Sequence, residues 1–281
     1  MKKRNLALLT ILPFMLVGCQ TKANDKVKKI TQYVGTGELN FIETFSYDNK
    51  QRLKEVVWEE HYTQQTRHSK VTYQYNKEDL TDKCFTYLYD EETKEWNDYS
   101  TKEFAYDEKG NEVGVYDYCY LDMMYTLDAL EANQYNSDNL LVRTCSYSYD
   151  VLYEALYPTF AIDFEYNNKK QLSKEKAYVD IDYDGILDFS QYIVYAYNED
   201  GTLQKKTEFT GEDEEIGYYG YTYENGVETE IYYRLEDTGY LPRTKIVSTY
   251  DSKNRITKEE QFYFEEEEDK YVLDFTTIYE Y

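Results

Sequence analysis

The residues best placed to do chemistry lie between positions 180 and 188. Asp180, Asp182 and Asp184 alternate with Ile181 and Tyr183, Gly185 follows, and Asp188 comes three residues later. Carboxylates at alternate positions before a sharp glycine turn converge on one point and suit a hard cation such as calcium. In that reading Asp180, Asp182 and Asp184 supply carboxylate oxygens, Ile186 its backbone carbonyl, and Asp188 a direct or water-bridged oxygen. Gln191 stands where a bidentate glutamate would complete the set, so weak affinity is expected. An Asp-rich hairpin turn without an ion accounts for the same residues.

Other constellations say less. His61 and His68 are the only histidines, and two imidazoles fall short of the ligand set zinc requires. They read as exposed strand residues. Cys84 follows Leu80 by four and Cys145 follows Leu141 by four, which suggests equivalent positions two repeats apart. Equivalent strands of neighbouring repeats lie about 10 Å apart, and a disulfide needs Cα atoms within about 7 Å. Cys84, Cys119 and Cys145 are therefore expected to be small buried residues without bridges. No Ser-His-Asp set, Cys-His nucleophile, phosphate loop or dinucleotide fingerprint is present. The expectation is a protein that is not an enzyme.

These residues are carried by a repeat. An aromatic-x-Tyr pair followed by Asp or Asn recurs along the chain, as in Phe45-Ser46-Tyr47-Asp48, Phe104-Ala105-Tyr106-Asp107 and Tyr195-Ala196-Tyr197-Asn198. The marking tyrosines are Tyr47, Tyr75, Tyr106, Tyr135, Tyr166, Tyr197, Tyr223, Tyr250 and Tyr281, spaced 26 to 31 residues apart. Residues i and i+2 of a strand share a face, so each pair sets two rings side by side at a strand end. Asp or Asn then opens a turn through its own side chain, and a Gly, Asn or Lys three residues on takes positive φ. An aliphatic residue starts the next strand six residues after the Tyr, at Leu53, Leu141, Leu172, Leu203 and Ile256. Glu224-Asn225-Gly226-Val227 reads as a two-residue type I′ hairpin.

A second turn sits near the middle of each interval, for example at Asp90-Glu91-Glu92-Thr93 and Gly211-Glu212-Asp213-Glu214. Each period is thus two strands, and eight intervals give about 16 strands in one antiparallel meander. The third interval, 121–132, leaves room for a short helical turn, and 151–158 fits no element. Strands such as Leu172-Ser173-Lys174-Glu175-Lys176-Ala177-Tyr178 carry charge, which argues for solvent on at least one side. Open sheets beyond about 10 strands curl or split. The fold expected is all-β, a twisted or coiled, solenoid-like ribbon or a partly closed wrap. The aligned rings of Tyr75, Tyr106, Tyr166, Tyr197 and Tyr223 are candidates for stacking on sugars or gripping extended peptides. Cross-strand support of the sheet is the competing role.

The N-terminus carries a processing signal. Lys2, Lys3 and Arg4 precede a short apolar stretch to Val17, and Leu16-Val17-Gly18-Cys19 resembles the lipobox of bacterial lipoproteins. The apolar stretch is about 12 residues, a rise of about 18 Å, too short to span a hydrocarbon core. The resemblance implies cleavage after residue 18 and a lipid on Cys19, hence a membrane partner. Gln20 in place of Asp implies the outer membrane in a Gram-negative cell. Residues 19–40 are expected to form the lipidated cysteine and a flexible tether, and residues 41–281 the repeat domain.

The pattern aromatic-x-Tyr-Asp-x-x-Gly/Asn-x-Leu, clearest at Phe104–Asn111, Tyr195–Leu203 and Tyr250–Ile256, resembles the YD repeats of RHS proteins and the Tyr-rich repeats of bacterial envelope lipoproteins. RHS repeats wind into a strip that can form a shell around a toxin. This chain is short for a full shell and no toxin domain follows its last mark, so only the repeat architecture carries over. The Asp180–Asp188 run likewise resembles the first nine positions of an EF-hand-type calcium loop, set between strands instead of helices.

The formal charge of −24 falls by three, to −27, once Lys2, Lys3 and Arg4 are removed. Such a surface repels phosphate backbones, so nucleic acid is excluded as a partner. The 36 Tyr and 12 Phe exclude an acidic disordered chain. The functional expectation is a lipid-anchored envelope protein with a repetitive Tyr-rich β-surface for binding glycan or protein, or for structure. The alternatives are an envelope enzyme such as a carboxylate-pair glycan hydrolase and a subunit that pairs through open sheet edges.

Overall fold

The computed structural model describes residues 26–62, 65–121 and 123–281. The expected leader and Cys19 lie outside them. The described residues form one antiparallel meander of 18 strands. In chain order these are β1 (Lys29–Val34), β2 (Leu39–Tyr47), β3 (Leu53–Tyr62), β4 (Gln65–Tyr75), β5 (Thr81–Asp90), β6 (Glu95–Tyr106), β7 (Glu112–Leu121), β8 (Met124–Tyr135) and β9 (Leu141–Asp150). They continue as β10 (Ala155–Tyr166), β11 (Leu172–Val179), β12 (Asp188–Tyr197), β13 (Leu203–Thr210), β14 (Glu215–Glu224), β15 (Val227–Glu236), β16 (Gly239–Tyr250), β17 (Ile256–Glu265) and β18 (Lys270–Glu280). High Tyr, Thr and Val content with little Gly or Pro suits this pleated, half-wet arrangement.

The sheet closes. β1 pairs with β2 and also with β18, with Thr31 opposite Ile42 on one side and Ile278 on the other. The expected open ribbon is therefore corrected to a barrel, and its 16 strands to 18. The two further strands come from residues assigned to the tether and the segment just after it. Lys29–Val34 is the closing strand, and the repeat wall begins before residue 41. With no edge strand left, pairing through open edges has no structural basis among the described residues. The two irregular segments are also settled. The described residues of 121–132 lie in β7 and β8, apart from Met123, with no helix among them, and residues 151–154 form a turn before a bulge near Pro158 in β10.

Bulges drive the closure. The register shifts at Ser46/Tyr47, Gln74/Tyr75, Ala105/Tyr106, Gln134/Tyr135, Glu165/Tyr166, Ala196/Tyr197 and Thr249/Tyr250. Each shift falls at a marking tyrosine. A second set of shifts lies nearer the other rim, at Thr86/Tyr87, Asp117/Tyr118, Ala177/Tyr178, Glu208/Phe209, Tyr232/Tyr233 and Gln261/Phe262 among others. A bulge bends its strand and raises the local twist, so two per repeat curl the wall. Eighteen strands are enough to leave an aqueous lumen. Consistent with that, no large side chain is fully buried, and the most buried apolar residues are small or medium: Ala161 at 0%, Val56 at 2% and Cys145 at 6%.

Candidate functional site

The two rims differ in construction. One rim carries five-residue turns at 48–52, 76–80, 107–111, 136–140, 167–171, 198–202 and 251–255, plus the two-residue hairpin 225–226. In these turns Asp48, Asn76, Asp107, Asn136, Asn167 and Asp251 accept, through Oδ1, the amides two and four residues on. The expected positive φ three residues on is found at Gly110, Asn139, Lys170, Gly201 and Asn254, and also at Gln51 and Asp79. Asn225 and Gly226 both have positive φ, as a type I′ turn requires. The Arg52 amide, with the Arg52 side chain, holds the Asp48 carboxyl below the usual range, and the side chains of Asn111 and Arg255, with their amides, do the same for Asp107 and Asp251.

The marking tyrosines line the inner wall just below this rim. Adjacent strands splay there: the β3–β4 pairing ends at Glu55–Thr72 and the β9–β10 pairing at Arg143–Asp163. The splay leaves a backbone carbonyl without a ladder partner, and the tyrosine hydroxyl donates to it. Tyr75 reaches Leu53 O at 2.6 Å, Tyr106 reaches Thr81 O at 2.8 Å, Tyr166 reaches Leu141 O at 2.7 Å, and Tyr197 reaches Leu172 O at 2.8 Å. Tyr47, Tyr135 and Tyr281 do the same. Where the hairpin is tight, between β14 and β15, the β15–β16 ladder runs on to Val227–Thr249. Tyr250 then has no free carbonyl to meet and bonds Glu228 instead, at 3.2 Å.

The five tyrosines singled out for binding thus share one inner row, and the hydroxyls of Tyr75, Tyr106, Tyr166 and Tyr197 tie the wall. Arg52 further covers the Tyr75 ring at 4.2 Å. A Tyr166→Phe substitution is expected to cost about 1–2 kcal/mol by stranding the Leu141 carbonyl, seen as a fall of a few degrees in the thermal midpoint. Tyr250→Phe should cost less, because water can replace it at a lumenal carboxylate. Equal losses from the two would contradict this account.

Deeper in the lumen runs a belt of carboxylates set among aromatic side chains. Trp58 donates to Glu43 and Tyr221 to Glu230, while Glu175 lies beside Tyr195, and Glu208 beside Tyr219 and Tyr232. The cross-strand pairs Lys206–Tyr219–Tyr232 and Tyr221–Glu230 place the densest part on β13 to β15. There the Tyr219 and Tyr232 rings sit 4.6 Å apart, with the Lys206 ammonium 4.4 Å over Tyr219 and 3.7 Å from Glu230. Crowding on this concave side is strong. Burial pushes Tyr73 up to about 12 and raises Tyr195, Tyr219, Tyr221 and Tyr279 further. Burial also raises Glu43 and Glu228, against hydrogen bonds from Trp58 and Tyr250 that pull them back. Sequence reading missed this belt because its members are widely spaced and share a face only through the register.

The outer wall is charged in mid-strand. Lys174 and Lys176 on β11, Lys205 on β13, and Glu55 and Lys70 on β3 and β4 share its face with ring and threonine neighbours. A bilayer-spanning barrel needs an outward apolar band about 25 Å tall, and this wall has none. Lysines lie over rings instead, as Lys174 over Tyr192 at 3.8 Å and Lys205 over Tyr218 at 4.1 Å.

The remaining candidates are placed as follows. The carboxylates of Asp180, Asp182 and Asp184 do come together, all within 4.8 Å of one another. Asp180 accepts the amides of Asp184 and Gly185, and Asp184 that of Ile186. These bonds account for the loop as a turn. Ile186 is exposed, and Asp188 opens β12. His61 and His68 are half-buried, not exposed, and face Glu59 at 2.8 Å and Glu91 at 3.7 Å. Cys84, Cys119 and Cys145 are free thiols, and Cys84 and Cys145 are buried as expected. Their equivalence fails. Cys84 pairs with inner-row Tyr73 and Cys145 with Ala132 and Ala161 on the outer face, because Thr81, not Leu80, opens β5.

No known family model and no curated protein matches this sequence. Among solved structures the chain is similar to a porin-like protein from Bacteroides uniformis, at 12% identity and a TM-score of 0.48, over 90% of this chain and 97% of that one. A protein from Lactobacillus plantarum matches at 8% identity and a TM-score of 0.32, over 91% and 100%. TcdB2-TccC3 matches at 11% identity and a TM-score of 0.30, over 81% of this chain and 15% of that one. All these scores are below 0.5, and none bears on function.

Proposed function

We propose that this chain is a lipid-anchored cell-envelope protein whose barrel is a water-filled binding body, standing on the membrane and not inserted in it. The observation that carries the reading is the inner wall, where aromatic rings and carboxylates face the interior of a closed barrel of 18 strands, a number that leaves an aqueous lumen. Rings stack on sugar faces and carboxylates accept sugar hydroxyls, so a glycan is the ligand class favoured, and a peptide the other. The RHS-like repeats supply the wall, and Cys19 supplies the anchor.

Trp58 is the natural reporter. It lies on the inner wall bonded to Glu43, whereas Trp96 pairs with Tyr89 on the outer wall. In a Trp96→Phe protein, envelope oligosaccharides or extended peptides are expected to shift the Trp58 emission saturably, and Tyr219→Ala with Tyr232→Ala to abolish the shift. No response to any of these ligands would sink the lumen reading. Turnover of the same oligosaccharides would favour the carboxylate-pair hydrolase, for which Glu228 and Glu230 on the inner wall are the residues to test. Membrane attachment is checked separately: detergent-phase partitioning should be lost on Cys19→Ala.

Calcium binding at Asp180, Asp182, Asp184, Ile186 and Asp188 belongs to the same proposal as a weak site. Millimolar calcium should give a heat of binding that Asp184→Asn removes. An absence of heat with Asp184 intact would leave the loop as a self-bonded turn.

A further inference from the structure

The rim opposite the five-residue turns is divided into two kinds of surface. Over most of it the hairpin tips are acidic or mixed, as at Glu91 and Lys94 or Glu266 to Asp269. Three neighbouring hairpins differ: β7–β8, β9–β10 and β11–β12. Their tips expose Met123 at 88%, Leu152 at 89%, Tyr153 at 73%, Tyr183 at 91% and Ile186 at 64%. The β9–β10 and β11–β12 tips adjoin, since Asp180 N donates to Thr159 O and Gly185 lies against Tyr157, and the β7–β8 hairpin is next in the wall through the β8–β9 pairing. Below the tips the outer wall carries a largely half-buried row of rings, Tyr178, Phe189, Tyr192 and Phe209, with successive centroids 5.5, 6.2 and 4.7 Å apart. Arg143 over Tyr178 and Lys174 over Tyr192 mark the lower border of the patch. Contiguous exposed apolar surface of this kind marks a contact site.

Two observations select the occupant. First, the described residues of 120–128, 150–159 and 180–191 contain no Lys, Arg or His, while Asp150, Glu154, Asp180, Asp182, Asp184 and Asp188 surround the apolar tips. Acid around an apolar centre repels anionic lipid and a second copy of the same patch, and complements a basic rim. Second, the chain enters the barrel at the other end. Lys28 N donates to Glu280 O beside the five-residue turns, and strands of about ten residues put the apolar tips about 30 Å away. A lipid at the N-terminus therefore leaves these tips facing away from the anchoring membrane. We propose that the β7–β12 sector of this rim docks a protein partner whose contact surface is apolar and edged with Lys or Arg. The proposal is independent of what the lumen holds.

The test uses the unlipidated mature chain, residues 20–281, which contains every strand of the barrel. The probe is a labelled amphipathic Leu/Lys peptide followed by anisotropy, with oligolysine of equal charge for comparison. The peptide is expected to bind at least tenfold more tightly than oligolysine. Combined Leu152→Ser, Tyr153→Ser and Tyr183→Ser, at turn positions that carry no packing, should weaken it at least tenfold. The thermal midpoint and the oligolysine affinity should stay unchanged. Equal peptide binding by the triple variant overturns the proposal. So does a wild-type dimer that the triple variant dissociates, which would mean a second copy, or triple-sensitive sedimentation with phosphatidylcholine vesicles, which would mean lipid.

Discussion

Raising the pH above about 10 is expected to unfold the barrel in one steep step. Below pH 10 folded and unfolded chains both hold their phenol protons, and the tyrosines add no pH dependence. Above it the unfolded tyrosines ionise at their ordinary value, while Tyr73, Tyr106 and Tyr250 stay neutral up to about 12 because burial penalises the phenolate. The unfolded state then binds fewer protons, so stability falls as pH rises, by about 1.4 kcal/mol per pH unit for each such group. Tyr73 over about two pH units contributes roughly 3 kcal/mol, a sizeable share of an ordinary domain's stability. The more open Tyr106 and Tyr250 add smaller amounts in the same direction, because solvent screens them. Tyr195, Tyr219, Tyr221 and Tyr279 are raised further still and act in the same direction. Tyrosinate absorbance should rise in two parts. The exposed rings titrate first, and the rest rise together with the loss of β-sheet circular dichroism. A smooth titration centred at 10, with the sheet signal intact at pH 12, would contradict the desolvated inner wall.

The second large effect concerns closure. Thr31 is 5% exposed in the middle of the six-residue β1, bonded between β2 and β18. Thr31→Pro removes a ladder donor and forces the ring into a central strand, at a cost of about 3 kcal/mol or more. The larger consequence follows from position: with β1 displaced, β2 and β18 become two long unpaired edges. Light scattering on the eluting protein is expected to show association in place of a monomer, with a lowered thermal midpoint, while Thr31→Val leaves both unchanged. A monomeric Thr31→Pro protein of unchanged midpoint would mean that β1 is not what closes the barrel. Gly35, just after β1, belongs to the same device, since a Cβ there would lie 2.0 Å from the Leu273 carbonyl oxygen.

How far the sequence could be read follows from the range of each signal. The turn chemistry is local, so Asp48, Asn76 and Asp107 were legible at once, as were the positive-φ positions held by Gly, Asn or Lys, the type I′ hairpin and the two-strand period, whereas Gln51 and Asp79 carry no such mark. The six-residue gap between each marking tyrosine and the next aliphatic residue already encodes the five-residue turn. What it did not announce is the bulge that follows, and the bulges decide between an open ribbon and a closed barrel. β1 was hidden because Lys29–Val34 lacks the tyrosine mark and follows a polar, basic stretch. The splay at the turn rim was equally invisible, so the marking tyrosines drew attention for their rings when their hydroxyls hold the wall. The carboxylate belt and the apolar sector emerge only when register brings together residues from several repeats.

The uniform turns have one more consequence. Each repeat touches only the strands beside it, the Asp or Asn of each turn bonds its own turn, and closure depends on a single short strand meeting whichever strand comes last. Duplication of one 29-residue unit in the gene would therefore add a hairpin while exchanging only contacts between neighbouring repeats, such as Asn111–Asn139, and loss of one would do the same in reverse. The girth of the barrel rises with strand number. Lumen width is thus a quantity that evolution, or an engineer, can set by copy number alone, and the same wall can be gauged to ligands of different thickness.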